Sequence, residues 1–93
     1  MSVAFAVTWK VVPGELDGLL AMAPKIVQSL EQQRGFQGIK LYVNRSESTL
    51  VTISQWASPE DLEADREHHQ QTVHLVASKA TVEKAETYEV VHS

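Results

Sequence analysis

The sequence has no cysteine, which removes disulfides, thiolate chemistry and cysteine-ligated zinc or iron–sulfur centres together. It is short of positive charge. Eight Lys and Arg stand against 12 Asp and Glu, for a formal net charge of −4, and the basic residues form no cluster. Nucleic-acid binding needs a basic footprint, so the composition argues against a nucleic-acid partner. No apolar run approaches membrane-spanning length, which argues against a membrane partner. The opening Met-Ser-Val-Ala-Phe lacks the charged start and apolar stretch of a signal peptide, and the expected location is cytoplasmic. Glycine and proline are few, four and three, so each marks a particular place in the chain.

What is present is ordinary for a folded protein: 93 residues, 43% hydrophobic and 22% charged. That length predicts one domain over residues 1–93. A domain so short buries a modest core, and burial against a partner would add to it.

Val3 to Val12 is rich in β-branched and aromatic residues and stops at Pro13-Gly14, which predicts a first strand. From about Glu15 to Arg34 the spacing of Leu16, Leu19, Leu20, Ala23, Ile26, Val27 and Leu30 becomes helical. Pro24 interrupts that stripe and predicts a kink or a break, because it removes a hydrogen bond to the carbonyl of Leu20. Gly35 suits the left-handed residue after the helix. Residues 37–45 and 49–57 alternate as two strands around a short Ser46-Glu47-Ser48 turn, which implies an antiparallel hairpin. Ser58-Pro59-Glu60-Asp61 is a helix start. The following stripe is broken by Asp65, Arg66, Glu67, His68 and His69 and resumes with Val73, Val76 and Ala80, so two helical pieces meet near residues 66–70. A last strand is expected over residues 86–92.

This order predicts an α+β fold: a ferredoxin-like βαββαβ antiparallel sheet with both helices on one face. The other face is then bare. If it carries Phe5, Val7, Trp9, Leu50 and Trp56, it exposes an apolar patch of a size monomers rarely tolerate, and a homodimer packed face to face is expected; the alternative is that these residues face the helices and the open face is polar.

Several segments, in their order and spacing, are similar to one family. These are Val11-Val12-Pro13-Gly14 before the first helix, Arg34-Gly35-Phe36-Gln37-Gly38 before strand two, and Val51-Thr52-Ile53-Ser54-Gln55-Trp56 in strand three. The cap Ser58-Pro59-Glu60 and the closing Tyr88-Glu89-Val90-Val91 complete the pattern. Across nearly its whole length the chain resembles the antibiotic biosynthesis monooxygenase (ABM) domain family of dimeric α+β barrels. The resemblance implies a homodimer with a mostly apolar pocket in each protomer, between sheet and helices. It also implies one of two chemistries. Some members oxidise polycyclic aromatic phenols to quinones with O2 and without metal or flavin; others degrade haem.

The family's residues carry over in part. The strand-three Trp of the quinone-forming members matches Trp56, whereas their Asn falls at Thr52 and their helix-two Tyr near Leu62. Haem-degrading members carry Asn where Val7 stands and Trp where Asp65 stands, and their haem-ligating His falls one residue from His74. The mismatches disfavour haem.

The resulting expectation is a small cofactor-independent monooxygenase acting on an aromatic or polyketide-like molecule. Trp56, Thr52, Leu50 and Val7 line its pocket, and His68 or His69 near the mouth takes a phenolic proton. The alternatives are a binding or stress or pathway accessory protein on the same fold, with both histidines solvated at a helix joint, and, behind it, a haem-binding or haem-degrading member using His74. No cofactor and no metal are expected, since His68, His69 and His74 offer no i, i+4 histidine pair. Glu60, Asp61, Glu63, Asp65 and Glu67 read as a solvated acidic helix face.

Overall fold

A computed structural model describes residues 1–93. The elements follow in the order β1 (Val3–Val11), α1 (Leu16–Leu30), β2 (Phe36–Asn44), β3 (Thr49–Trp56), α2 (Pro59–Ala64), α3 (Arg66–Leu75) and β4 (Ala80–Glu89). The strands form one sheet in the order β2-β3-β1-β4, antiparallel at each junction. This is the ferredoxin-like arrangement.

Register decides which side chains share a face, because residues paired across antiparallel strands point the same way. Val7 pairs with Thr52 and Ala85, Trp9 with Leu50, and Leu41 with Thr52. That face is the one covered by helices: Val7, Trp9, Val11 and Leu50 are buried with Leu19 of α1 and with Val76. The expected placement of Phe5, Val7, Trp9, Leu50 and Trp56 on the bare face is therefore reversed. All five belong to the helix side. The opposite face carries Ala4, Ala6, Thr8, Val51 and Ile53 at its centre, with Tyr42, Lys40, Lys84, Glu86 and Tyr88 around them. The reason lies in β1, whose even positions are small rather than polar and so disguise the outward side.

α1 is continuous from Leu16 to Leu30, so no break occurs at Pro24. Pro24 is itself exposed, and Leu20 before it and Ile26 after it both pack on the core. Packing on either side holds the helix across the missing hydrogen bond. α1 ends at Leu30, short of the expected Arg34, so Gly35 does not cap it; Gly35 has φ +79° in the turn that leads into β2, and a Cβ there would collide with the Asp61 carboxylate. Arg34 pairs with the same carboxylate at 3.5 Å, tying the start of β2 to the first turn of α2.

The two helical pieces meet at Asp65, one residue before the expected joint. Ser58 caps α2 by accepting from the Asp61 N–H at 3.1 Å. β4 begins at Ala80 and ends at Glu89, several residues ahead of the range the sequence predicts. Its extra residue, Glu83, sits in a bulge opposite Thr8 and Trp9. That bulge breaks the alternation by which a strand is read. No helix is long and apolar enough to cross a membrane.

Candidate functional site

Between the sheet and the helices lies an apolar chamber of about 90 Å³. Its floor is the inward face of β1 and β3, with Phe5, Val7 and Trp9 beside Leu50, Thr52 and Ser54. α1 contributes Leu19, Leu20 and Ile26, and the α2–α3 joint brings Asp65, His68 and His69. Of the expected pocket residues, Val7, Leu50, Thr52, His68 and His69 all reach it.

Trp56 does not. It is 1% exposed and packs in a separate cluster with Val3 and Leu30. Its ring meets Phe36 at 5.4 Å, edge to face. Trp9, on the neighbouring strand β1, supplies the chamber's indole in its stead.

The polar groups of the floor are largely committed. Trp9 Nε1 donates to Thr52 Oγ1 at 3.1 Å, and Trp56 Nε1 donates to Ser54 Oγ at 3.0 Å. Thr52 thus retains its hydroxyl proton and one lone pair to offer a ligand.

The helix joint is where unspent polar capacity gathers. Asp65 is 5% exposed, so it is not part of the solvated acidic face; Glu60, Glu63 and Glu67 are. At the junction of α2 and α3 its side chain makes no cap hydrogen bond and turns inward instead. Its Oδ1 lies 3.4 Å from His68 Nδ1, and both atoms are buried without a hydrogen-bond partner. Burial holds the Asp65 carboxyl above the usual carboxylate range, opposed by the nearby charge of His68. The other ring nitrogen of His68, Nε2, is 2.7 Å from Ser29 Oγ.

Ser29, His68 and Asp65 therefore stand in the sequence of a hydroxyl, an imidazole and an orienting carboxylate. Two facts separate them from a nucleophilic triad. Ser29 is in the last turn of α1, where the carbonyl end of the helix repels a developing oxyanion, and it does not line the chamber. The arrangement fixes the His68 ring.

His69 is held differently, by ring packing. Its imidazole meets Phe5 at 5.1 Å and 87°, and Trp9 at 6.1 Å and 65°. Burial first, and the charge of His68 second, push its pKa below the ordinary histidine value. At neutral pH it is an uncharged imidazole, able to accept a proton at the edge of an apolar space. No three His, Cys, Asp or Glu side chains converge into a metal-binding group. His74 is exposed and does not line the chamber.

A family profile described as antibiotic biosynthesis monooxygenase matches residues 2–81. The chain belongs to the ABM family. No curated protein matches its sequence significantly. Among solved structures, a mutant of SnoaB, a cofactor-independent oxygenase from Streptomyces nogalater, has a TM-score of 0.82 at 13% identity, covering 99% of this chain and 95% of that one. Rv0793 from Mycobacterium tuberculosis has a TM-score of 0.80 at 18% identity, covering 100% and 98%. MupZ from Pseudomonas fluorescens has a TM-score of 0.82 at 8% identity, covering 92% and 69%. At such identities the likeness establishes the fold. Within this ABM chain, sequence reasoning missed Phe5, Trp9 and Asp65 as lining residues and Ser29 as the partner of His68 behind them. Only Asp65 left a signal, its i, i+3 spacing to His68 across a helix joint.

Proposed function

We propose that the protein is a cofactor-independent monooxygenase that oxidises an aromatic or polyketide-like phenol to a quinone, with His69 as the base. The observation that carries this reading is the neutral, half-buried His69 imidazole set between Phe5 and Trp9 at the wall of an apolar chamber. The imidazole takes the phenolic proton, and the phenolate so formed is electron-rich enough to react with O2. One oxygen atom enters the ring carbon as a carbonyl. The other leaves as water with the two hydrogens the substrate loses. The apolar lining excludes competing proton donors that would quench the phenolate. His68 is tied to α1 through Ser29, and burial first, with the charge of His68 second, keeps the His69 pKa low.

Oxygen uptake with an anthrone tests this directly. His69→Gln is expected to lower turnover by roughly a hundredfold or more. A variant as fast as wild type removes His69 from the mechanism. A second reading is favoured by the small number of uncommitted polar groups: a binding protein that holds the same class of molecule without oxidising it. Anthrone binding without oxygen consumption would select it.

The working unit we propose is a homodimer, formed through the bare sheet face. Ala4, Ala6, Val51 and Ile53 give that face an apolar centre low enough for a second sheet to approach at the usual spacing of about 10 Å.

A further inference from the structure

The chamber is small even for a phenol. An apolar cavity of about 150 Å³ holds one benzene, and this one is about 90 Å³. An aromatic ring enters only when side chains of the wall move aside. Something smaller fits the chamber as it stands.

Water fits by size but not by chemistry. An internal water needs two to four polar partners, and the polar atoms around the chamber are mostly engaged. Trp9 Nε1 donates to Thr52 Oγ1 at 3.1 Å, Ser54 Oγ donates to the Phe5 carbonyl at 3.5 Å, and Thr72 Oγ1 donates to the His68 carbonyl at 3.1 Å. His68 Nε2 is taken by Ser29, and its Nδ1 faces Asp65 Oδ1 at 3.4 Å, both atoms being inaccessible. The Thr52 hydroxyl and the His69 ring remain, too few to keep the space filled with water. A dry apolar space leaves the side chains around it short of dispersion contacts. A small molecule without hydrogen-bonding groups restores those contacts with no polar group to desolvate. Xenon enters dry cavities of this kind, and O2 is smaller and no more polar.

Resting on the monooxygenase reading above, we infer that the chamber is the dioxygen site. The resting protein holds one O2 among Val7, Leu19, Leu50 and Val76, on the chamber side of His69. The phenolate formed at His69 then meets O2 already in place, and a three-body encounter becomes a two-body one. The chamber's size selects the gas, and its lack of free polar groups keeps water from competing.

NMR of the methyl-labelled full chain under O2 pressure reads the site directly, because O2 is paramagnetic and speeds the relaxation of nuclei near it. Val3 and Val11 are the controls: at 4% and 2% exposed they are as buried as Val7 and Leu50, but they do not line the chamber. The O2-induced relaxation is expected to be several times larger at the methyls of Val7, Leu19 and Leu50 than at those of Val3 and Val11. Ala23→Leu, on the α1 wall, fills much of the space and is expected to abolish the difference. Ala21→Leu, on the exposed side of the same helix, is expected to keep it. Oxygen uptake with anthrone is the second readout. Ala23→Leu is expected to raise the O2 concentration for half-maximal rate by roughly tenfold or more, while that for anthrone stays within about twofold. The reverse split gives the chamber to the organic substrate and overturns the inference. Equal O2 effects at Val7 and Val3 also overturn it, and anthrone turnover then still supports the monooxygenase reading. If the chamber methyls respond but wild type consumes no O2 with anthrone, the monooxygenase reading falls and takes the co-substrate role with it.

Discussion

Along β3 the side chains of Leu50, Thr52, Ser54 and Trp56 share one face, yet only the first three meet the chamber. Trp56 lies at the end of the strand, under Leu30 and Phe36, and its part is structural. Trp56→Ala is expected to cost about 3–5 kcal/mol in chemical denaturation, the range for deleting a buried aromatic. A variant that folds as stably as wild type but binds ligand poorly would return Trp56 to the site. His69 carries a pH signature. Its folded pKa lies below the ordinary value of 6.5, so on acidification the unfolded chain takes up a proton before the folded one does. Stability is therefore complete above 6.5 and is lost as pH falls through the lowered folded value. Asp65 works in the opposite sense: its raised pKa weakens the fold above that value, and the cost is relieved as pH falls from it toward 3.8. Urea titrations at several pH values should show wild type losing stability below 6.5 more steeply than His69→Gln. Parallel curves would contradict the assignment.

At the scale of elements, α1 is the one built against its own propensity. Proline inside a helix costs up to about 3 kcal/mol relative to alanine, and Pro24 is exposed, with no packing role that an alanine would forfeit. Pro24→Ala is expected to raise the thermal midpoint by restoring a donor to the Leu20 carbonyl, with a gain of up to about 3 kcal/mol. A lower midpoint would mean that the helix has bent to suit the proline. The joint between α2 and α3 is the other telling element. A single continuous helix would carry Asp65 outward with its acidic neighbours on the stripe's polar side. The interruption at Asp65 turns that residue and His68 toward the sheet, and so creates the site's polar wall.

The whole molecule has a covered face and a bare one. Face-to-face dimerisation would remove Val51, Ile53 and the half-exposed Tyr42 and Tyr88 from water. Such association couples to folding, so the thermal midpoint of wild type is expected to rise with protein concentration. Ile53→Glu places a charge at the centre of this face, and light scattering should then give the monomer mass. A wild-type protein already monomeric at micromolar concentration would rule the dimer out.

The sequence alone specifies the order of the elements, the hairpin between β2 and β3, the cap at Ser58 and the interruption before His68. Each is local: a change of period, a turn residue or a capping side chain is visible within a few positions. It also marked Val7, Leu50, Thr52, His68 and His69 as neighbours, through strand parity and resemblance to the ABM family. Tertiary packing settles which side of the sheet the helices cover, because in β1 neither face is polar enough to declare itself. It placed Trp9 rather than Trp56 at the chamber, a matter of where along a shared face the helices leave space. It moved β4 forward by a bulge that alternation cannot register. Asp65 shows the limit most plainly. Its carboxylate looks like its acidic neighbours in sequence, and becomes buried and unpaired only when two short helices meet against a strand from the far end of the chain.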